Sequence, residues 1–243
     1  LLELAQDLIG GSMVSENSPH VPVMLNEVIE ALQMTSGQVA IDATFGAGGY
    51  SRAILERDCS VIGIDRDPDA IAAGQSMMTE FKYSLNLEQG RFSNLDAIAQ
   101  ALGHPTVDAV VADIGVSSMQ IDQADRGFSF QKDGPLDMRM EQTGTSAADV
   151  VNSMARSDLT RIIGILGDER RASHISARIV EERQKRRFET TMQLAACVEA
   201  VLGRKRGDKI HPATRTFQAL RIFVNAELEQ LAEALLAAER ILR

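Results

Sequence analysis

The sequence lacks any uninterrupted apolar run of 18 residues, although 44% of its 243 residues are hydrophobic. That excludes a membrane-spanning helix from the reading and points to a globular chain with one large domain, or a core carrying an inserted one. Cysteine is nearly absent. Cys59 and Cys197 are the only two; they have no metal-ligand spacing and fall in apolar contexts, which fits reduced, buried thiols in the cytoplasm and no metal. A basic leader is also lacking: residues 1–12 form an apolar and acidic patch ending Gly10-Gly11-Ser12, read as a tag or extension outside the fold. Net positive charge is missing too, the formal charge being −9, which at first argues against a nucleic-acid partner. The distribution reverses this. Residues 151–221 hold 15 Lys and Arg against 8 Asp and Glu, a net of +7 that leaves −16 elsewhere. Such asymmetry suits an RNA phosphate backbone, with a solvated helical surface as the plain alternative.

What is present begins with Ile41-Asp42-Ala43-Thr44-Phe45-Gly46-Ala47-Gly48-Gly49-Tyr50-Ser51, followed after a helix-length gap by Val61-Ile62-Gly63-Ile64-Asp65. The order reads as a strand, a glycine-rich turn, a helix and a second strand ending in a carboxylate, the opening unit of a nucleotide-binding α/β sheet. Gly46, Gly48 and Gly49 are expected to allow positive φ and close ligand approach, and the helix from about Tyr50 directs its free amides at the turn. Asp65 stands at the spacing from Gly46 at which a strand-end acid reaches a ribose hydroxyl. Two departures bear on the ligand. Ser51 occupies the place of the third glycine of a dinucleotide fingerprint, and Asp42 would repel a pyrophosphate but suit a cationic group such as the amino group of S-adenosylmethionine. A nicotinamide dinucleotide, and a connector without ligand, are the competing readings.

Further along, apolar spacing predicts a helix over residues 23–33, a second from Asp67-Pro68 to about Phe81, and strands at Leu85–Phe92 and Asp108–Ile114. Alternating strands and helices give a doubly wound, Rossmann-like parallel sheet. The rhythm breaks over residues 115–145, and helical periodicity then dominates from Ser157, read as a cap, with another helix starting at Thr190 or Thr191 and ended by Gly203. Phe217 through Leu235 line one further helix or a pair. The division expected is a sheet-bearing core over 13–114 and 212–243, with loops and an inserted helical subdomain over 115–211. No strand is left to lie beyond the fourth, so that strand is expected as an apolar edge and the chain as short at its carboxyl end.

Asp113-Ile114-Gly115-Val116-Ser117-Ser118-Met119-Gln120 lies where ligands of open α/β sheets bind. Asp125-Arg126-Gly127-Phe128-Ser129-Phe130, Asp133-Gly134-Pro135-Leu136-Asp137-Met138-Arg139-Met140 and His211-Pro212-Ala213-Thr214-Arg215-Thr216-Phe217-Gln218-Ala219-Leu220-Arg221 follow. Together, from His20 to Leu228, these motifs closely resemble the bacterial 16S ribosomal RNA cytosine N4-methyltransferases, the RsmH or MraW family. The resemblance implies S-adenosylmethionine as cofactor, a methyltransferase core with a helical substrate-recognition subdomain inserted after strand four, and a target cytosine in the decoding region of the small ribosomal subunit; it implies no membrane partner and leaves dimerisation open.

Position by position, the resemblance puts Gly48, Gly49 and Tyr50 at the methionine end of the cofactor, Asp65 on the ribose, Phe92 beside the adenine, and Asp113 and Gln120 completing the pocket, with His20 lining it. Tyr50 stands where many members have histidine, and Met119 where many have proline. Cytosine's exocyclic amine is a poor nucleophile, so in-line positioning and an acceptor for its proton are what a catalyst must supply. Asp113, or a nearby backbone carbonyl, is the first candidate acceptor and Asp137 the second, although Asp137 and Arg139 also read as a local ion pair. Arg139, Thr214, Arg215 and Arg221, with Arg183, Lys185, Arg186 and Arg187, are candidates for RNA phosphate contact. Phe128 and Phe130 read as core residues or as stacking partners for an unstacked base. A noncatalytic RNA-binding or assembly module is the alternative function, and a nicotinamide-dependent oxidoreductase the more distant one.

Overall fold

A computed structural model of the protein describes Pro22, residues 24–204 and residues 210–243. The 1–12 segment and His20 lie outside the described residues. Four short strands form one parallel sheet: β1 (Val39–Asp42), β2 (Ser60–Asp65), β3 (Leu85–Gln89) and β4 (Ala109–Val111), in the order β3-β2-β1-β4. Ile41 lies opposite Ile62 on one side and Val110 on the other. Both faces of the central strands are covered, which is why they read as apolar runs. One face packs Ala40, Val61, Ala109 and Val111 against α1 (Leu25–Leu32) and α2 (Gly49–Leu55). The other packs Ile41, Ile62 and Ile64 under α5 (Leu95–Ala101) and the last helix.

The helix expected to run from Pro68 to Phe81 is two helices, α3 (Pro68–Ala73) and α4 (Gln75–Glu80). They meet at Gly74, where a Cβ would come within 2.6 Å of both the Phe45 ring and Leu87, so the packing of the turn beneath excludes a larger residue. The third strand stops at Gln89, and Phe92 opens a short 3-10 turn instead of ending the strand.

After β4 come α6 (Ser118–Asp122) and then α7 (Ala147–Ser153), α8 (Arg156–Leu166), α9 (Ala172–Lys185) and α10 (Thr191–Leu202). Thr190 caps α10 through a reciprocal bond with Gln193, and Gly203 ends it at φ 74°. Ser157 caps nothing: α8 begins at Arg156 after Ala155, and Ser157 lies inside its first turn. The stripe from Phe217 to Leu235 divides into α11 (Thr214–Val224) and α12 (Glu227–Ile241), separated at Ala226 in the left-handed region with φ 49°. Ala213, Phe217 and Leu220 join the apolar cluster of the inserted helices, whereas Ala234, Ala237 and Ile241 pack on the sheet. The chain thus passes from helical cluster to sheet around Asn225, beyond residue 211. The outer side of β4 is met at its approach, where Val107 N–H donates to Ile241 O at 2.9 Å and Arg243 N–H donates to Val107 O at 3.1 Å.

Candidate functional site

At the carboxyl ends of the strands lies a cleft of about 330 Å³, within the size range of small-molecule sites. Gly46, Gly49 and Tyr50 line it from the turn after β1, Asp65 from the end of β2, Phe92 from the turn after β3, and Asp113 and Gln120 from the segment after β4. The topology gathers them because parallel strands all deliver their carboxyl ends to one edge.

The glycines act differently from one another. Gly48 sits at φ 77° behind the lining, and a Cβ there would stand 2.7 Å from Phe45 Cζ and from Met77 Cε. Gly49 does not adopt positive φ; it opens α2, and a Cβ there would collide with the Pro22 ring. Asp65 holds the turn closed: its Oδ2 accepts Gly46 N–H at 2.8 Å and its Oδ1 accepts Asp67 N–H at 2.9 Å. Burial pushes the Asp65 carboxyl above its ordinary range, and those two amide bonds oppose the shift. Each carboxylate oxygen keeps a second lone pair, so a diol at the cavity floor finds acceptors already oriented.

Asp42 does not line the cavity. Its carboxylate is wholly buried beneath the turn, accepting Ser51 Oγ–H at 2.6 Å and Thr44 N–H at 3.3 Å. The acid and the serine that replaces the third glycine are therefore partners, which the separate reading of each had not joined. Burial, with a smaller push from Asp65, raises the Asp42 carboxyl from 3.8 to about 6. A folded-state value above the unfolded one means that the native state holds this proton more tightly. Its contribution is full below pH 3.8 and is lost as pH rises through about 6. Thermal unfolding should show the Asp42→Asn variant gaining on the parent by about 2 kcal/mol between pH 4 and 7.5; parallel pH profiles would remove the charge of Asp42 from the stability balance.

Asp113 stands at the mouth, exposed, with its N–H donating to Thr44 Oγ1 at 2.7 Å. Burial first, then the charges of Asp113 and Asp42, push the Tyr50 phenol above its ordinary value. Gln120 is buried and doubly engaged: Oε1 accepts Ser117 N–H at 3.0 Å, completing the cap of α6, and Nε2 donates to Asp67 Oδ2 at 2.7 Å. Asp67, which caps α3 by accepting Asp69 N–H, also takes Arg126 Nη1 at 2.8 Å. Arg126 reaches on to Asp69 and to the carbonyls of Arg139 and Met140. A buried ion pair thus fastens the inserted segment to the end of β2. Local motif reading missed it because its partners lie far apart in sequence. Arg66, Met140 and Glu227 also line the cleft; the last part of the resembling stretch contained Glu227 but gave it no role.

The remaining sequence candidates lie away from the cleft lining. Asp137 is held by Arg139, whose Nη2 and Nε donate to it at 2.6 and 2.9 Å. Arg221 forms a bidentate pair with Glu227, Nε donating at 2.8 Å and Nη2 at 3.0 Å. Arg215 donates to Asp168 O at 2.6 Å, and Thr214 opens α11 half-buried. Arg183 donates to the carbonyls of Val151 and Met154 at the end of α7, and Lys185 pairs with Glu181 and Glu182. Phe128 lies beneath the Arg126 guanidinium, and Phe130 packs on His211 and Phe217.

With this geometry in place, residues 17–243 match the model of the MraW methylase family. The chain belongs to that family. Among relatives of the MraW methylase, a protein of Chelativorans sp. (strain BNC1) named ribosomal RNA small subunit methyltransferase H is 57% identical over 226 residues, covering 93% of this chain and 66% of its own. A protein of the same name from Brucella ovis is 58% identical over 92% of this chain and 65% of its own, and one from Allorhizobium ampelinum is 54% identical over 99% and 70%. The chain therefore spans about two thirds of the length of the curated relatives it matches. The α/β fold with a parallel sheet is that of a Rossmann-like methylase. Among the described residues no helix is long and apolar enough to cross a membrane.

Proposed function

We propose that this chain binds S-adenosylmethionine in the cleft and directs its methyl group to the exocyclic N4 of a cytosine in the 16S RNA of the small ribosomal subunit. One observation carries the reading: a single cleft joins the half-buried carboxylate of Asp65, the apolar ring of Phe92 and the exposed carboxylate of Asp113. These suit, in order, a ribose, an adenine and an amine that must lose a proton. The cofactor, when bound, supplies an electrophilic methyl on a sulfonium. Asp65 orients it through the ribose hydroxyls. With both partners in place, Asp113 would accept a hydrogen bond from the cytosine amine, which localises the nitrogen lone pair, and would take its proton as the methyl is transferred to nitrogen. Holding nitrogen, carbon and sulfur in line is worth roughly 7 to 11 kcal/mol of barrier. The relatives' names, which specify a small-subunit RNA methyltransferase, support the substrate class.

The decisive measurement pairs binding with transfer. S-adenosylhomocysteine should raise the melting temperature while NAD leaves it unchanged, and labelled methyl should pass to small-subunit particles that lack the mark. Stabilisation by NAD alone would favour an oxidoreductase, and cofactor and RNA binding without transfer would favour an assembly module.

A further inference from the structure

A second cavity, of about 490 Å³, opens between the end of β3 and the inserted helices. Its lining is unlike the rest of this acidic chain. Arg66, Arg91 and Arg139 face it with Glu141 as the one carboxylate, and Thr143 and Thr145 add hydroxyls. Glu141 is shared: Arg91 Nε and Nη2 donate to its two oxygens at 2.6 and 3.0 Å, while Arg66 Nε donates to the first at 3.0 Å. One negative charge thus serves two guanidiniums, and Arg139 has Asp137 as its own partner, so the three guanidiniums meet two carboxylates and one positive charge is left over. Arg91 Nη1 donates to no acceptor among the described residues. The Arg91 side chain is 52% exposed, so it is open to a ligand that enters from solvent.

We propose that this cavity is a phosphate site for the RNA strand, taking a phosphodiester flanking the base presented to the first cleft. The proposal rests on the reading of the chain as an RNA methyltransferase. Three features favour phosphate. Planar guanidiniums match a tetrahedral oxyanion in pairs, the threonine hydroxyls can donate to further oxygens, and the positive charge is concentrated within a chain of net charge −9. The position favours a continuous strand over a free anion. Arg66 lines both cavities, and the adjacent residues Met140 and Glu141 line one each, so a single polynucleotide can occupy both. Arg91 and Arg139 act by exchanging carboxylate partners for phosphate oxygens, with no change in the sheet.

The test uses a fluorescein-labelled RNA hairpin with cytosine in its loop, and two variants of the full chain. Arg91→Gln removes the guanidinium, and Thr143→Glu adds a negative charge on an exposed loop where folding is not at stake. Each should weaken RNA binding about tenfold, and Arg91→Gln should reduce the slope of log affinity against log salt by about one. Affinity for S-adenosylhomocysteine should stay within twofold of the parent in both. RNA affinity and salt slope unchanged in both variants would overturn the site, even with cofactor binding and methyl transfer intact in the parent. Conversely, loss of RNA binding in the variants of a parent that binds no cofactor would leave the site standing and overturn the enzymatic reading. If 5′-CMP or inorganic phosphate alone loses affinity in the variants while the hairpin does not, the occupant is a free anion and the RNA assignment fails.

Discussion

Replacing Asp113 by alanine should reduce methyl transfer by about a hundredfold to ten-thousandfold, the usual range for a positioned general base, while leaving affinity for S-adenosylhomocysteine within a few fold. The separation follows from how the residue is held. Its backbone N–H, and not its carboxylate, makes the bond to Thr44 Oγ1 that ties the end of β4 to the turn. The exposed side chain can therefore go without loosening the cleft. Asp113→Asn sharpens the test, because an amide oxygen still accepts a hydrogen bond but does not take a proton. If the asparagine variant is as slow as alanine, proton acceptance is the role; if it is nearly as fast as the parent, orientation of the amine is. Single-turnover transfer rates on saturating cofactor decide between them, and full activity in the alanine variant would remove Asp113 from the chemistry.

Asp65→Ala should have the opposite signature: cofactor affinity lost by about a hundredfold or more, with RNA binding retained. Hydrogen bonds to a charged group contribute about 1.5 to 3 kcal/mol each. Losing those to a ribose diol would alone reach that factor. The variant also frees the amides of Gly46 and Asp67, which Asp65 holds at 2.8 and 2.9 Å, so the turn loses the shape into which the ligand fits. Calorimetric titration with S-adenosylhomocysteine measures the loss. An affinity within threefold of the parent would show that Asp65 only braces the turn.

How far these residues could be seen in advance depended on the distance to their partners. Asp65 was legible because strand, turn, helix and strand follow one another in sequence, and the spacing itself carries the geometry. The start of α10 at Thr190 or Thr191 was legible for the same reason, the cap partner Gln193 lying three residues after Thr190. The break at Gly74 was not, and what requires glycine there, the Phe45 ring and Leu87, belongs to other elements. Arg126 stood inside a noticed motif, yet its partner Asp67 belongs to a different strand end; no local pattern encodes that ion pair. Arg221, read as a candidate for phosphate contact, is held bidentately by Glu227 only six residues away, a partner the resembling stretch contained but the charge count did not assign. Charge counts register cations but not the carboxylates that fold back onto them.

The order of elements also sets a schedule for synthesis. Ile41, Ile62 and Ile64 present an apolar sheet face whose cover includes α12, and roughly a hundred residues of inserted helices separate β4 from that helix. At about 5 to 20 residues per second, a ribosome needs roughly 5 to 20 seconds to make the insertion. Throughout that interval the sheet can form, but the face that α5 begins to cover stays incomplete until α12 is made. Slowing translation within the insertion should lengthen that interval of incomplete cover.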